Sequence, residues 1–224
     1  MRYEIEGAPL SVLTCHLSKG EVMVCQSGAM SWMHNLSMST EMKGGLGKAF
    51  GRSFSGESMF LNYYTCQGED GFIAFSSSMP GNIIAMRMEE VGCIVAQKRA
   101  FLASEPTVET EAKFSGIKKG LFGGEGFIMQ RVSGRGLVFF ELDGHIQEIN
   151  LAPGQTLQVD TGHIALMEDT VNMDIERIKG VKNVLFGGEG LFNTTVTGPG
   201  KVWLQSMPVS KLAGSVAPFI ASGD

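Results

Sequence analysis

Three times along this chain an aromatic residue leads into a small-Gly-Glu-small tetrad followed by two apolar residues. The copies are Phe54-Ser55-Gly56-Glu57-Ser58-Met59-Phe60, Phe122-Gly123-Gly124-Glu125-Gly126-Phe127-Ile128 and Phe186-Gly187-Gly188-Glu189-Gly190-Leu191-Phe192, beginning 68 and then 64 residues apart. A motif returning at nearly fixed spacing implies one structural unit built three times. A second register runs in the same phase. Leu17-Ser18-Lys19-Gly20 and Leu151-Ala152-Pro153-Gly154 each open an apolar run reaching a further glycine, Gly28 or Gly162, eight residues on; the middle copy is Gly92, with Ala100 at the second position. The spacings Gly20 to Gly92 and Gly92 to Gly154 are 72 and 62 residues.

Each aromatic motif is followed by a Gly-rich turn and a short apolar run: Gly68-Glu69-Asp70-Gly71 before Phe72 to Phe75, Gly134-Arg135-Gly136 before Leu137 to Phe140, and Gly198-Pro199-Gly200 before Lys201 to Leu204. Short apolar runs bounded by Gly, Pro, Asn and Asp read as strands joined by tight turns. The best helical window, Thr107 to Lys119, is broken at Gly116, and its counterpart from Thr170 to Lys182 alternates apolar and polar with the period of a half-buried strand. The pattern predicts an all-β protein of three small β-sandwich units about an approximate threefold axis, at 1–80, 81–143 and 144–211, with a C-terminal tail from 212 to 224. Units of about 65 residues bury too little surface to be comfortably stable alone, so packing into one body is expected.

The chain has 224 residues, 43% of them hydrophobic, which excludes wholesale disorder. Its opening residues Met1-Arg2-Tyr3-Glu4-Ile5-Glu6 carry no targeting pattern, and no window offers 18 uninterrupted apolar residues, so a cytoplasmic setting is expected. Cys15, Cys25, Cys66 and Cys93 lack C-x-x-C spacing and sit in or beside apolar runs, as core thiols do. His16, His34, His145 and His163 are scattered, and neither a metal nor a cofactor is implied. A net charge of -5 argues against broad capture of nucleic acid.

Among the ionisable residues, Glu57, Glu125 and Glu189 stand out because each lies in a turn of small and apolar neighbours. Two readings remain open: each carboxylate accepts hydrogen bonds from turn amides, or the three converge on the axis and recruit a cation. Lys48, Lys118 and Lys182 precede the three motifs; they read as solubilising loop charge or, under threefold symmetry, as a basic ring suited to an anion or an acidic membrane surface. Asp160-Thr161-Gly162 resembles an aspartic protease motif, but its internal counterparts are Gln26-Ser27-Gly28 and Lys98-Arg99-Ala100, which provide no second carboxylate. Gly45-Leu46-Gly47-Lys48 lacks the upstream glycine of a phosphate loop, that position being Met42. Met30, Met33, Met38 and Met42 surround Trp32, a cluster read as packing, with an apolar partner surface as the lesser alternative.

The opening Tyr3-Glu4-Ile5-Glu6-Gly7, the Ala103-Ser104-Glu105-Pro106 step, both Leu-Phe-Gly-Gly-Glu-Gly segments, Val159-Asp160-Thr161-Gly162-His163 and Gly198-Pro199-Gly200-Lys201-Val202-Trp203-Leu204-Gln205 together resemble the altered inheritance of mitochondria protein 24 family over nearly the whole chain. The resemblance implies a β-sandwich fold similar to the tryptophan RNA-binding attenuator protein, present three times, in a bacterial member. It also implies a scaffold or assembly role, since mitochondrial relatives are associated with inner-membrane organisation and respiratory-chain assembly. No tryptophan pocket or RNA-contacting lysine set maps onto these residues. The expectation is therefore a non-enzymatic protein acting through surface contacts, with a protein partner, a second copy or a peripheral membrane surface open as partners and nucleic acid disfavoured. The alternative is a module binding a small ligand or RNA in clefts between repeats.

Overall fold

The structure is a computed structural model describing residues 1–42, 60–114, 127–177 and 192–220. The first stretch forms β1 (Arg2–Glu6), β2 (Val12–Leu17), β3 (Val22–Gln26), β4 (Trp32–His34) and β5 (Leu36–Met42). The second forms β6 (Phe60–Cys66), β7 (Gly71–Ser76), β8 (Gly81–Arg87), a single helical turn α1 (Met88–Val91), β9 (Ile94–Gln97), β10 (Phe101–Ser104) and β11 (Val108–Phe114). The third forms β12 (Met129–Gly134), β13 (Leu137–Asp143), β14 (Ile146–Leu151), β15 (Thr156–Asp160), β16 (Ile164–Glu168) and β17 (Asn172–Arg177). The last contributes β18 (Phe192–Thr197), β19 (Gly200–Gln205) and helix α2 (Val209–Val216). The protein is thus nearly all β, as its short apolar runs require.

Gly20, Gly92 and Gly154 all have a positive φ, of 84°, 73° and 76°. A Cβ at any of the three would meet nothing within 4 Å, so it is the left-handed backbone, and not crowding, that selects glycine there. Gly20 separates β2 from β3, Gly92 precedes β9, and Gly154 separates β14 from β15. At these three positions the spacing found in the sequence marks a recurring positive φ.

The chain divides into two compact units, neither contiguous in sequence: Met1–Gly92 with Phe101–Thr110 and Ser133–Glu141, and Cys93–Ala100 with Glu111–Val132 and Leu142–Asp224. The first carries a four-stranded sheet in the order β1-β2-β7-β4 and a six-stranded sheet in the order β5-β6-β3-β10-β13-β8. β2 alternates half-buried and buried residues, so Leu13, Cys15 and Leu17 face inward while Thr14 and His16 face away. The inward residues join Ile73 and Phe75 of β7 in one core with Met23, Cys25, Tyr64 and Phe139 of the larger sheet. Full burial of each large apolar side chain contributes about 1.5–3 kcal/mol. In the second unit a sheet ordered β11-β12-β9-β16-β19-β14 shares its core, including Val95, Met129, Ile164 and Val202, with Val159 and Val196 of the sheet β15-β18-β17. Each unit is a two-layer antiparallel sandwich.

Turn amides repeatedly find side-chain acceptors. Glu21 Oε2 accepts from Ser18 N at 2.8 Å, Glu105 Oε2 from Leu137 N at 2.8 Å, and Glu168 Oε2 from Lys201 N at 3.0 Å. Glu141, only 8% exposed, accepts from the amides of Ser78 and Met79 and so pins the turn before β8. The chemistry inferred for acids in Gly-rich turns is present, at acids the repeated motif did not single out.

Two local readings are corrected. Trp32, Met33 and Met38 do not pack inward: they are 50%, 39% and 54% exposed, because β4 is a three-residue edge strand and β5 is the edge of the larger sheet. Met30 does pack against the core. Second, residues 209–216 form a helix preceded by Pro208, whose φ of -59° suits a helix entry. The alternating small and apolar residues of Val209-Ser210-Lys211-Leu212-Ala213-Gly214 gave no helical signal strong enough to predict it. The window from Thr107 is the strand β11. Among the described residues no helix is long and apolar enough to cross a membrane.

Candidate functional site

The outward face of the four-stranded sheet gathers chemically versatile side chains because the strand register aligns them. Arg2 pairs with His16, His16 with Phe72, and Phe72 with His34, so one row crosses β1, β2, β7 and β4 on a single face. The next row on that face is Glu4, Thr14, Ala74 and Trp32. The His34 ring stacks on Phe72 at 5.7 Å between centroids and 27° between planes, and His16 tilts against the other side at 6.5 Å and 52°. The result is an aromatic strip through the middle of a hydrated sheet face.

The strip lines a groove of about 470 Å³ whose walls also include Met1, Ser18, Glu21, Glu69 and Asp70. Its charges are mostly answered locally: the α-amino group of Met1 lies 3.4 Å from Glu21, Arg2 lies 3.6 Å from Glu4, and His16 Nε2 lies 3.9 Å from the same Glu4 carboxylate. The exposed Arg2–Glu4 pair contributes about 0–1 kcal/mol and mainly fixes the polarity of the face. Glu21, Glu69 and Asp70 make the groove unwelcoming to phosphate. Both ends of β4 are fastened. Ser31 N donates to Ala74 O at 2.9 Å and Ser31 Oγ accepts from Ser76 N at 2.9 Å, while Asn35 Nδ2 donates to Asp70 O at 3.0 Å.

The residues singled out from the sequence lie elsewhere. Glu57, Glu125, Glu189, Lys48, Lys118 and Lys182 all fall outside the described residues, as do the aromatic motifs apart from their final positions. The Asp160-Thr161-Gly162 step belongs to a short turn after β15, where Thr161 Oγ1 lies 2.9 Å from Thr194 Oγ1 and Gly162 O accepts from Gln205 Nε2 at 3.0 Å. These are bonds that hold strands together. Cys15 and Cys25 are buried, and burial pushes both thiols up to about 12. Cys93 is half-buried, and its Sγ accepts a 2.9 Å hydrogen bond from Arg131 Nε. Arg131 in turn pairs with Asp169 at 3.0 Å. Among the described residues no group of three or more His, Cys, Asp or Glu could hold a metal ion.

The sequence reading missed the strip because scattered histidines have no local signature. Only the register that sets His16 and His34 on either side of Phe72 makes them neighbours. The polar parity of β2, which puts Thr14 and His16 opposite the buried Leu13 and Cys15, was the available sign.

Residues 3–207 match the family described as Mitochondrial biogenesis AIM24. The chain belongs to this family. An uncharacterized protein of Streptococcus pyogenes serotype M6 is 31% identical, the match covering 98% of this chain and 91% of the relative. A crystal structure of a Streptococcus pyogenes protein superposes with a TM-score of 0.79 at 26% identity, covering 98% of this chain and 99% of that one. The AIM24 match spans both compact units and ends just before α2.

Proposed function

We propose that this AIM24 family member is a non-enzymatic scaffold or assembly factor that works through surface contacts. The observation that carries the proposal is the half-exposed Trp32 on the short edge strand β4, with Met33 and Met38 exposed beside it in sequence. Tryptophan and methionine are costly to leave in water and are enriched where protein surfaces meet. The tethers at Ser31 and Asn35 hold this edge in place without burying it. The free thiols Cys15, Cys25, Cys66 and Cys93 support a reducing, cytoplasmic setting.

The test is site-specific photocrosslinking in the source cell from a reactive side chain at position 32 or 38, with position 90 on α1 as the control. Discrete protein adducts from 32 and 38 that are absent from 90 are expected. No adduct, or the same adducts from all three positions, would overturn the reading. The groove beside Phe72 favours a second reading, a small polar ligand on the aromatic strip. Its carboxylates oppose RNA, so tight, salt-sensitive binding of an RNA pool at about 0.15 M salt would count against the scaffold proposal.

A further inference from the structure

β1 pairs with β2 through five consecutive positions, Arg2 to Glu6, with no bulge, and among the described residues no strand pairs with its other side. Its residues are exposed except for the half-buried Ile5. An exposed edge is ordinarily blunted by lysine, proline or a bulge, because its free N–H and C=O groups are a template for another strand. Arg-Tyr-Glu-Ile-Glu has no lysine, proline or bulge, and the charges it does carry, Arg2, Glu4 and Glu6, are of both signs and can be answered by a complementary strand.

We propose that β1 is a homodimer interface, occupied by β1 of a second copy in antiparallel register about a twofold axis at Tyr3. The charges select both occupant and register. With Tyr3 opposite Tyr3, Arg2 of each copy faces Glu4 of the other, and Ile5 faces the apolar Met1. Sliding one strand by two residues sets Glu4 against Glu4 or Arg2 against Arg2 on the axis. Sliding by one residue puts outward charges opposite inward apolar residues. The Glu4 register also pairs Arg2 with Glu6 twice but sets two carboxylates against each other on the axis; the Tyr3 register joins unlike charges twice, opposes no like charges and keeps each face consistent. Within one copy Arg2 and Glu4 already lie 3.6 Å apart on the outer face, with side chains 72% and 50% exposed, so both are available to a facing strand. Tyr3 meets Phe139 edge-on at 5.0 Å and keeps 37% of its surface exposed, which the second copy's ring covers. Such a dimer continues the four-stranded sheet across the axis. β4 lies at the sheet's opposite edge and stays free, so this inference does not rest on the Trp32 surface.

Sedimentation analysis of the full chain tests it, with circular dichroism reporting the fold of every variant. The wild type is expected to dimerise below about 100 µM. Arg2→Glu alone and Glu4→Arg alone each set like charges against one another and weaken the dimer by about tenfold or more. The double exchange Arg2→Glu with Glu4→Arg restores unlike charges across the axis and with them the dimer. A wild type monomeric throughout that range, single variants that dimerise as well as wild type, or a folded double variant that stays monomeric would each overturn the proposal. Trp32→Ser is expected to leave the dimer intact, so failure of the scaffold reading and failure of this one are separable.

Discussion

Trp203 Nε1 donates a 3.0 Å hydrogen bond to Glu148 Oε1, joining two residues that face each other directly in the β14–β19 register. Glu148 Oε2 accepts from Lys201 Nζ at 3.0 Å, and that ammonium lies 5.3 Å from the Trp203 ring centroid. Three side chains therefore close the outer edge of the second unit around one carboxylate.

Removing the carboxylate leaves the indole N–H of a residue only 5% exposed without its acceptor. Glu148→Ala is expected to cost about 1–2 kcal/mol, and Glu148→Gln less, because the amide oxygen still accepts from Trp203. Urea unfolding of the two variants checks the order. The hydrogen bond from Lys201, then that from Trp203, holds the Glu148 carboxyl below its usual 4.5. The native state thus favours the ionised form; its stabilisation is present above pH 4.5 and lost as pH falls through the lowered value. The acid limb of the stability curve should flatten in Glu148→Gln.

The two tryptophans report different surroundings. Trp32 is 50% exposed and Trp203 5%. Native fluorescence should be the sum of a red-shifted, acrylamide-quenched component and a blue-shifted, protected one. Trp32→Phe is expected to remove the first while changing stability by no more than about 0.5 kcal/mol. A protected spectrum that survives only in Trp203→Phe would reverse the assignment.

Glu141 is a buried carboxylate whose bonds to the Ser78 and Met79 amides fasten the turn into β8. Glu141→Ala should destabilise the protein by about 1.5–3 kcal/mol, since the charge-assisted bonds that fasten the turn are lost. Glu141→Gln, which keeps one acceptor oxygen, should fall between. Denaturant midpoints at constant slope measure both.

Thiol chemistry should separate the cysteines. Cys93 is half-buried while Cys15, Cys25 and Cys66 are buried, so a thiol reagent should label position 93 first and the others only on unfolding. Burial raises Cys15 and Cys25 from 9.0 to about 12, so the folded state retains protons that the unfolded state releases. Their contribution is intact below pH 9.0 and declines as pH rises towards 12. Tm should be lower near pH 10.5 than near pH 8, and the difference should shrink in a Cys15→Ala, Cys25→Ala variant.

The strand content was legible because strand formation leaves a local trace. Leu13, Cys15 and Leu17 alternate with polar neighbours, and Gly20, Gly92 and Gly154 mark turns whose φ no other residue adopts cheaply. What escaped was decided by position in a sheet. Trp32 and Met33 look like core residues, and on an interior strand they would be; at the edge of a four-stranded sheet the same side chains meet water. Phe72 and the two histidines come together only through long-range register, which no window of sequence contains. Helix α2 was hidden by Gly214 and Ser215, which weaken helical propensity without preventing it.

Asn35 takes a left-handed backbone with φ of 57° between β4 and β5, the point at which the chain leaves one sheet for the other. Its side chain holds Asp70 O and its own carbonyl accepts from Gln67 N at 2.8 Å. Trp32 and Met38, three residues to either side, are consequently displayed from a riveted joint instead of a swinging arm. A change at Asn35 would remove its side-chain bond to Asp70 and a residue that tolerates this positive φ, while the Ser31 tether and the bond from Gln67 N to the residue-35 carbonyl would remain.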